Sequence, residues 1–304
     1  MRIASLVPSA TEALFALGLG DQVVGVTHEC DHPAAATGLP RLTSSVIEGD
    51  LAPAEIDSRV RELTGRGESL YGLDEARLAE LEPDLIVTQA LCAVCAVSFD
   101  DVRAIAERLP SRPRVISLDP TTLREVLDDL AVIADACGDP RRGHALAAAL
   151  RRRIEAVSEA VAGRDRPRVA ALEWLDPVYA GGHWVPEMII SAGGEDVLGE
   201  PGGRSRIVSW DEAARARPEI AVVMPCGLYA GESAAQARDH GDELRALGAS
   251  RVAAVDAASS FSRPGPRLAD GVELLGHLLH PAVVSAPPGI GFEILWESAA
   301  PTAS

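Results

Sequence analysis

The chain has 304 residues, too many for one small core and suited to two lobes of roughly 120–150 residues each. Its 47% apolar content supports a packed interior, and its net charge of −17 argues against nucleic acid and anionic membrane surfaces as partners. All 28 basic residues are Arg, so no lysine is available for a Schiff base or a P-loop.

Met1-Arg2 leads into a short apolar stretch that Pro8 breaks, shorter than a signal-peptide core. No run of about 18 apolar residues follows anywhere. The expected location is the cytoplasm, where the five Cys would be reduced and metal or redox roles outrank disulfides.

The first element is a strand over 3–7, followed at once by a helix. Ser9-Ala10-Thr11-Glu12 reads as a capping box, with Leu14, Phe15 and Leu17 on the buried face. A strand over 23–27 comes next. A helix over 74–81 leads through Pro83 to a strand over 85–88, and another strand covers 115–118. Two helices then run together: Leu123, Val126, Leu127, Leu130 and Ile133 keep helical spacing, as do Leu146, Leu150, Ile154, Val157 and Val161. A second α/β run has strands over 168–172, 220–224 and 252–255 and a closing helix over 267–279. The tail after Pro281, rich in Ala, Pro, Gly and Ser, is expected to be loosely held. The domains are therefore 1–120, an N-terminal α/β lobe; 121–165, a helical linker with one long helix; 166–282, a C-terminal α/β lobe; and 283–304, a tail. Alternating strands and helices imply mostly parallel sheets. A short internal repeat, Asp74-Glu75-Ala76 through Pro83 to Val87 and Asp211-Glu212-Ala213 through Pro218 to Val222, is consistent with related lobes, though a match this short also arises by chance.

In open parallel sheets, ligands bind beyond the carboxyl ends of the strands. The residues there are Pro8 and Ser9, then His28-Glu29-Cys30-Asp31-His32, then Gln89 through Cys95. In the second half they are Glu173-Trp174, Pro225-Cys226-Gly227 and 256–263. Four Cys fall at such ends. Cys92 and Cys95 have the C-x-x-C spacing of thiolate ligands to zinc or an iron–sulfur cluster, with Cys30 and Cys226 as possible companions; the alternative is that all four are small buried hydrophobes. Cys137 fits the apolar stripe of its helix. His28 and His32 are candidate ligands or ordinary loop residues. His183 and Trp184 share a Gly-Gly loop, with Pro186 opening a helix. Trp174, Trp184 and Trp210 would offer flat apolar surfaces to a planar macrocycle, or else fill a core. Arg263 would hold a carboxylate, amide or phosphate. No nucleophile elbow, P-loop or zinc-protease motif is present, so an enzyme is not the favoured reading.

The Ser5-Leu6-Val7-Pro8-Ser9-Ala10-Thr11-Glu12 opening, Leu17-Gly18, the Leu81-to-Ile86 segment and the long helix resemble the cobalamin- and iron-chelate-binding solute-binding proteins of ABC importers. Similarity runs over about residues 1–282. Leu91-Cys92-Ala93-Val94-Cys95 and Phe261-Ser262-Arg263-Pro264-Gly265 resemble a leaderless, Cys-containing subgroup. The resemblance implies an α/β fold like the class III periplasmic binding proteins, two Rossmann-like lobes joined by a single long α-helix. It also implies a small-molecule ligand such as cobalamin, haem or a ferric siderophore in the cleft between lobes, with an ABC permease as a possible partner. Pro8, Ser9, Tyr71, Gln89, Trp174, His183, Trp184, Trp210 and Arg263 would then line that cleft. Two readings result: a non-catalytic binding protein for a corrinoid or similar chelate, or a metal or redox protein ligated by Cys30, Cys92, Cys95 and Cys226.

Overall fold

The computed structural model describes residues 1–47, 51–66, 68–90 and 99–297. Contacts divide the chain into two units: unit 1 is Met1–Pro120 with Arg124–Ala149, and unit 2 is Thr121–Leu123 with Leu150–Ser304.

Unit 1 begins with β1 (Ile3–Ser5), α1 (Pro8–Ala16) and β2 (Val23–Gly25), then the strands β3 (Thr43–Ser45) and β4 (Tyr71–Leu73) on either side of α2 (Pro53–Gly65). After these come α3 (Glu75–Glu80), β5 (Leu85–Thr88), α4 (Phe99–Arg108), β6 (Arg114–Ser117), most of α5 (Leu123–Ala136) and the first half of α6 (Pro140–Ala160). The parallel sheet has the order β2-β1-β5-β6, with Ala4 opposite Ile86 and Ile86 opposite Val115. One core cluster joins Ala4, Leu6 and Ile86 to Leu78 of α3 and to Val102 and Ile105 of α4. β3 and β4 form a separate antiparallel pair.

Helix α1 starts one residue before the expected capping box. Val7 is its N-cap and Pro8 occupies the first turn without a side-chain cap. Proline suits that position because its missing N–H would be unpaired there anyway. Ser9 and Glu12 therefore lie inside the helix, and both are buried. Helices α5 and α6 pack closely within unit 1 because Gly143 has no Cβ; one added there would strike the backbone carbonyl of Leu130.

At 21 residues α6 is about 32 Å long, and the boundary between units falls inside it. The division is not a single cut, however. Thr121–Leu123 belong with unit 2. There the backbone N–H of Leu123 donates to Glu187 Oε2 at 2.6 Å, placing a carboxylate at a helix N-terminus, where anions are favoured.

Unit 2 continues with β7 (Arg168–Leu175), β8 (Val178–Ala180), α7 (Val185–Ser191), β9 (Glu195–Asp196), β10 (Arg206–Ile207), α8 (Trp210–Arg215) and β11 (Ile220–Val223). It ends with α9 (Ala230–Asp239), α10 (Gly241–Ala246), β12 (Arg251–Val255), α11 (Ala257–Ser260), α12 (Leu268–Leu279) and β13 (Phe292–Glu297). The sheet order is β10-β8-β7-β11-β12-β13. β7, β11 and β12 are parallel, while β8 and β13 run antiparallel to their neighbours. The expected strand over 168–172 is thus three residues longer, and Glu173 and Trp174 lie on it rather than beyond it. Its outer edge serves two partners, β9 alongside Arg168 and Val169 and β8 alongside Leu172 to Leu175. The tail also departs from expectation, because β13 pairs with β12 along its whole length.

The internal repeat extends to the backbone. Asp74 caps α3 by accepting from the Arg77 N–H, and Ser209 caps α8 by accepting from the Glu212 N–H. Each helix is followed by a left-handed residue, Glu82 at φ 40° and Arg217 at φ 48°, then a proline and a strand. The same step, Arg112 at φ 44° before Pro113, precedes β6. A left-handed residue just past a helix end reverses the chain, and the proline prevents the helix from continuing.

Candidate functional site

In unit 1 the loop after β2 folds against the β3–β4 pair. Arg41 holds it by donating from Nη1 to the carbonyls of Thr27 and Cys30, both at 2.7 Å. His28 projects from this loop. Its backbone N–H donates to Thr43 Oγ1 at 3.2 Å, and its Nδ1 lies 2.7 Å from the same oxygen. Pairing of Ser45 with Tyr71 brings Tyr71 alongside, its ring centroid 5.5 Å from that of His28. The Tyr71 hydroxyl donates to Glu29 Oε1 at 3.4 Å. Tyr71 is thus brought together with His28, Glu29 and Thr43. Thr43 carries no sequence signal, since its role depends on a partner fifteen residues away.

The other unit 1 candidates lie deeper. Pro8, Ser9 and Gln89 are buried, so they shape the floor of the strand ends and offer little surface. Cys30 is 1% exposed, its Sγ 3.1 Å from both the Thr11 and the Thr27 hydroxyls. Cys92 and Cys95 lie outside the described residues. Beyond β6, the Asp119 carboxylate accepts from the Ala90 N–H. Burial, reinforced by the charges of Asp119, Glu125 and Asp128, raises the Asp129 carboxyl to about 7.

In unit 2 the ends of β7, β11 and β12 are linked to one another. Cys226, exposed after β11, donates its backbone N–H to the Glu173 carbonyl at 3.0 Å. Ala258 at the start of α11 donates to the Leu228 carbonyl at 2.9 Å. Half-buried Arg263 follows that helix. Trp174 is half-buried on β7, and its Nε1–H donates to the Asp176 carbonyl at 3.0 Å. His183 has a left-handed backbone, φ 52°, set by bonds on both sides: its N–H donates to the Gly203 carbonyl at 2.5 Å, and its carbonyl accepts from Gly202 at 2.9 Å. Burial, then the Arg204 charge, lowers the pKa of its ring.

Of the three Trp residues expected to face a ligand, Trp184 belongs instead to unit 2's packing, and Trp210, like Trp174, is half-buried. Trp184 is 6% exposed, and its Nε1–H donates to the Phe261 carbonyl at 2.7 Å. Trp210 opens α8, packs on the core and rests against the His240 ring at 5.9 Å. A large amphipathic ring next to a sheet is held more firmly by core contacts than by an exposed loop.

Sequence reading named Glu173 among the strand-end residues but gave it no role. Its side chain accepts from the Gly182 N–H at 3.2 Å and the Ser205 hydroxyl at 2.5 Å. Burial nevertheless raises its carboxyl to about 7, with nearby Asp196 a smaller contributor. Burial raises Asp196 as well. Glu173 joins the loop after β8 to the loop before β10, and so supports His183 from below.

Among the described residues no group of three or more His, Cys, Asp and Glu is arranged to hold a metal ion. Among them, also, no helix is long and apolar enough to cross a membrane.

The chain is 24% identical over 225 residues to the vitamin B12-binding protein of Yersinia pestis (strain Pestoides F), covering 73% of this chain and 69% of that one. Its fold is similar to the periplasmic vitamin B12 binding protein BtuF of Vibrio cholerae, with TM-score 0.66, 23% identity and 92% and 97% of the two chains covered. It is similar also to a periplasmic heme binding protein from Pseudomonas aeruginosa, with TM-score 0.70, 20% identity and 98% and 99% covered. Two α/β units, each with parallel strands at the centre of its sheet, and a helix whose residues fall in both agree with these class III folds. With the periplasmic binding protein family pattern matching residues 3–258, this chain belongs to that family.

Proposed function

We propose that the chain is a binding protein for a planar tetrapyrrole-type metal chelate, cobalamin or haem. The observation that carries this reading is the strand-end surface of unit 1, where Tyr71 and His28 stand side by side on a pinned loop, in a member of a family whose relatives are described as vitamin B12- and heme-binding. An aromatic face beside an imidazole suits a flat macrocycle with a metal at its centre. Unit 2 carries Trp174, His183 and Arg263, all half-buried, at its own strand ends and loops. Arg263 suits the anionic or amide groups at a macrocycle's rim. No catalytic residue is assigned. A Cys-ligated cluster draws no support from the described residues, since Cys30 is buried between two threonine hydroxyls.

The test is titration of the purified protein with aquocobalamin and with hemin, followed by absorption and by quenching of Trp fluorescence. Saturable one-to-one binding of either chelate, weakened by Tyr71→Ala, supports the reading. Failure of both to bind, together with stoichiometric zinc or iron that a Cys92→Ser/Cys95→Ser variant loses, would replace it with the metal-centre reading.

A further inference from the structure

We propose that His28 coordinates the metal of the bound chelate through Nε2, with Thr43 fixing the tautomer and Tyr71 fixing the ring plane. This rests on the tetrapyrrole reading above.

A neutral imidazole that ligates a metal through one nitrogen keeps its proton on the other, and that N–H needs an acceptor to orient the ring. Thr43 Oγ1, 2.7 Å from Nδ1, is placed to be that acceptor. Because this oxygen also accepts the His28 backbone N–H, one hydroxyl fixes both the main chain and the ring. Arg41 fixes the loop to either side through the Thr27 and Cys30 carbonyls. Tyr71, tilted 47° against the imidazole, limits its rotation. With Nδ1 accounted for, Nε2 is the ring nitrogen left for a ligand.

The chain has seven His, and the other six do not share this arrangement. His277 Nδ1 is 2.9 Å from the Val284 carbonyl, and His280 Nε2 is 3.2 Å from the Gly193 carbonyl. His240 lies against Trp210, while His32 and His144 are exposed. His183 is half-buried beside Trp184, with the Arg204 charge nearby. Among the described residues, His28 is the one His whose ring nitrogen meets a side-chain hydroxyl.

The step is redox-neutral. The Nε2 lone pair takes the place of one water at the metal, the water leaves, and Nδ1 keeps its proton in a hydrogen bond to Thr43 Oγ1. The metal keeps its oxidation state.

The experiment uses hemin and aquocobalamin with wild-type protein, His28→Ala, Thr43→Val and, as a control, the exposed His144→Ala. Absorption and electron paramagnetic resonance spectra report the axial ligand of bound hemin. The wild type should show nitrogen ligation. His28→Ala should lose that signature and bind about 10- to 100-fold more weakly, and added imidazole should restore the signature. Thr43→Val should keep the ligand but weaken binding by about tenfold. His144→Ala should match the wild type. Hemin bound with an axial signature unchanged in His28→Ala would overturn the assignment while leaving the binding reading intact. A wild type that binds neither chelate would instead overturn the binding reading, and the assignment with it. Thermal melting shows whether each variant is folded, and imidazole rescue separates a lost ligand from a collapsed loop.

Discussion

In unit 1 the loop that carries His28 is tied down by side chains, with Arg41 on two carbonyls and Thr43 on the imidazole and its own amide. The loop that carries His183 in unit 2 is held by backbone instead. Its N–H and carbonyl bond to Gly203 and Gly202, and Gly182 passes so close that a Cβ there would strike the Ser205 amide nitrogen. Below it lies a buried carboxyl, Glu173, in place of a guanidinium. A surface tied by side chains can lose one contact and survive in a looser form, whereas a surface built on backbone approach fails as a whole when a single atom is added. The His183 loop should therefore be the more brittle of the two, and the one whose support titrates.

The strongest way to break this comparison is Trp184→Ala. If the ring is core, as its bond to the Phe261 carbonyl indicates, unfolding should show a loss of about 3–5 kcal/mol. A variant of normal stability with weakened chelate binding would return Trp184 to the ligand surface. Gly182→Ala comes next. The backbone of Ser205 and Arg204 has to move, the Arg204 carbonyl carbon being 2.7 Å from the added Cβ, and the expected cost is about 3 kcal/mol by urea denaturation.

Glu173 sharpens the pH side of the comparison. Its carboxyl rises from an ordinary 4.5 to about 7 in the folded chain, so the folded state binds the proton more tightly than the unfolded one. That contribution is complete below pH 4.5 and is lost as pH rises towards and through 7, at about 1.4 kcal/mol per pH unit. Glu173→Gln should remove this slope, so urea melts at pH 5 and pH 8 should show the variant gaining on the wild type at the higher pH. Asp129 of unit 1, also raised to about 7, imposes a slope of the same sign that the variant retains. An unchanged difference between variant and wild type at the two pH values would mean that Glu173 is ionised throughout. The smallest effect is expected for Arg41→Ala, about 1–2 kcal/mol from lost charged hydrogen bonds at a partly exposed site. Here chelate affinity should fall more than stability does, because the loop that slackens is the one carrying His28.

Much of this was readable from the chain alone. Leu85–Thr88 is the strand expected, and α3, α5, α6 and α12 lie where their apolar spacing placed them. Periodicity and proline position are local properties, set by sterics within one or two turns, and they survive whatever the strands later pair with. For the same reason the repeated helix–proline–strand step was visible in sequence and recurs in the backbone.

Edges and neighbours were not local. The short sequence Phe292–Glu297 alternates too weakly to mark a strand, and it becomes one because β12 offers it an open edge. Trp174, Trp184 and Trp210 are the same residue type near similar breaks, yet Trp184 is buried, Trp210 is half-buried against the core and Trp174 is half-buried on a strand end. The sequence by itself determined the alternating α/β order, the parallel strands at the centre of each sheet and which loops would stand at strand ends, but not the antiparallel β8, β10 and β13. Only the tertiary structure decided that Thr43 meets His28, that Tyr71 lies beside it and that Ser205 closes on Glu173 across 32 residues. Such pairings depend on strand register and on how loops pack over it, and neither is encoded within a single segment.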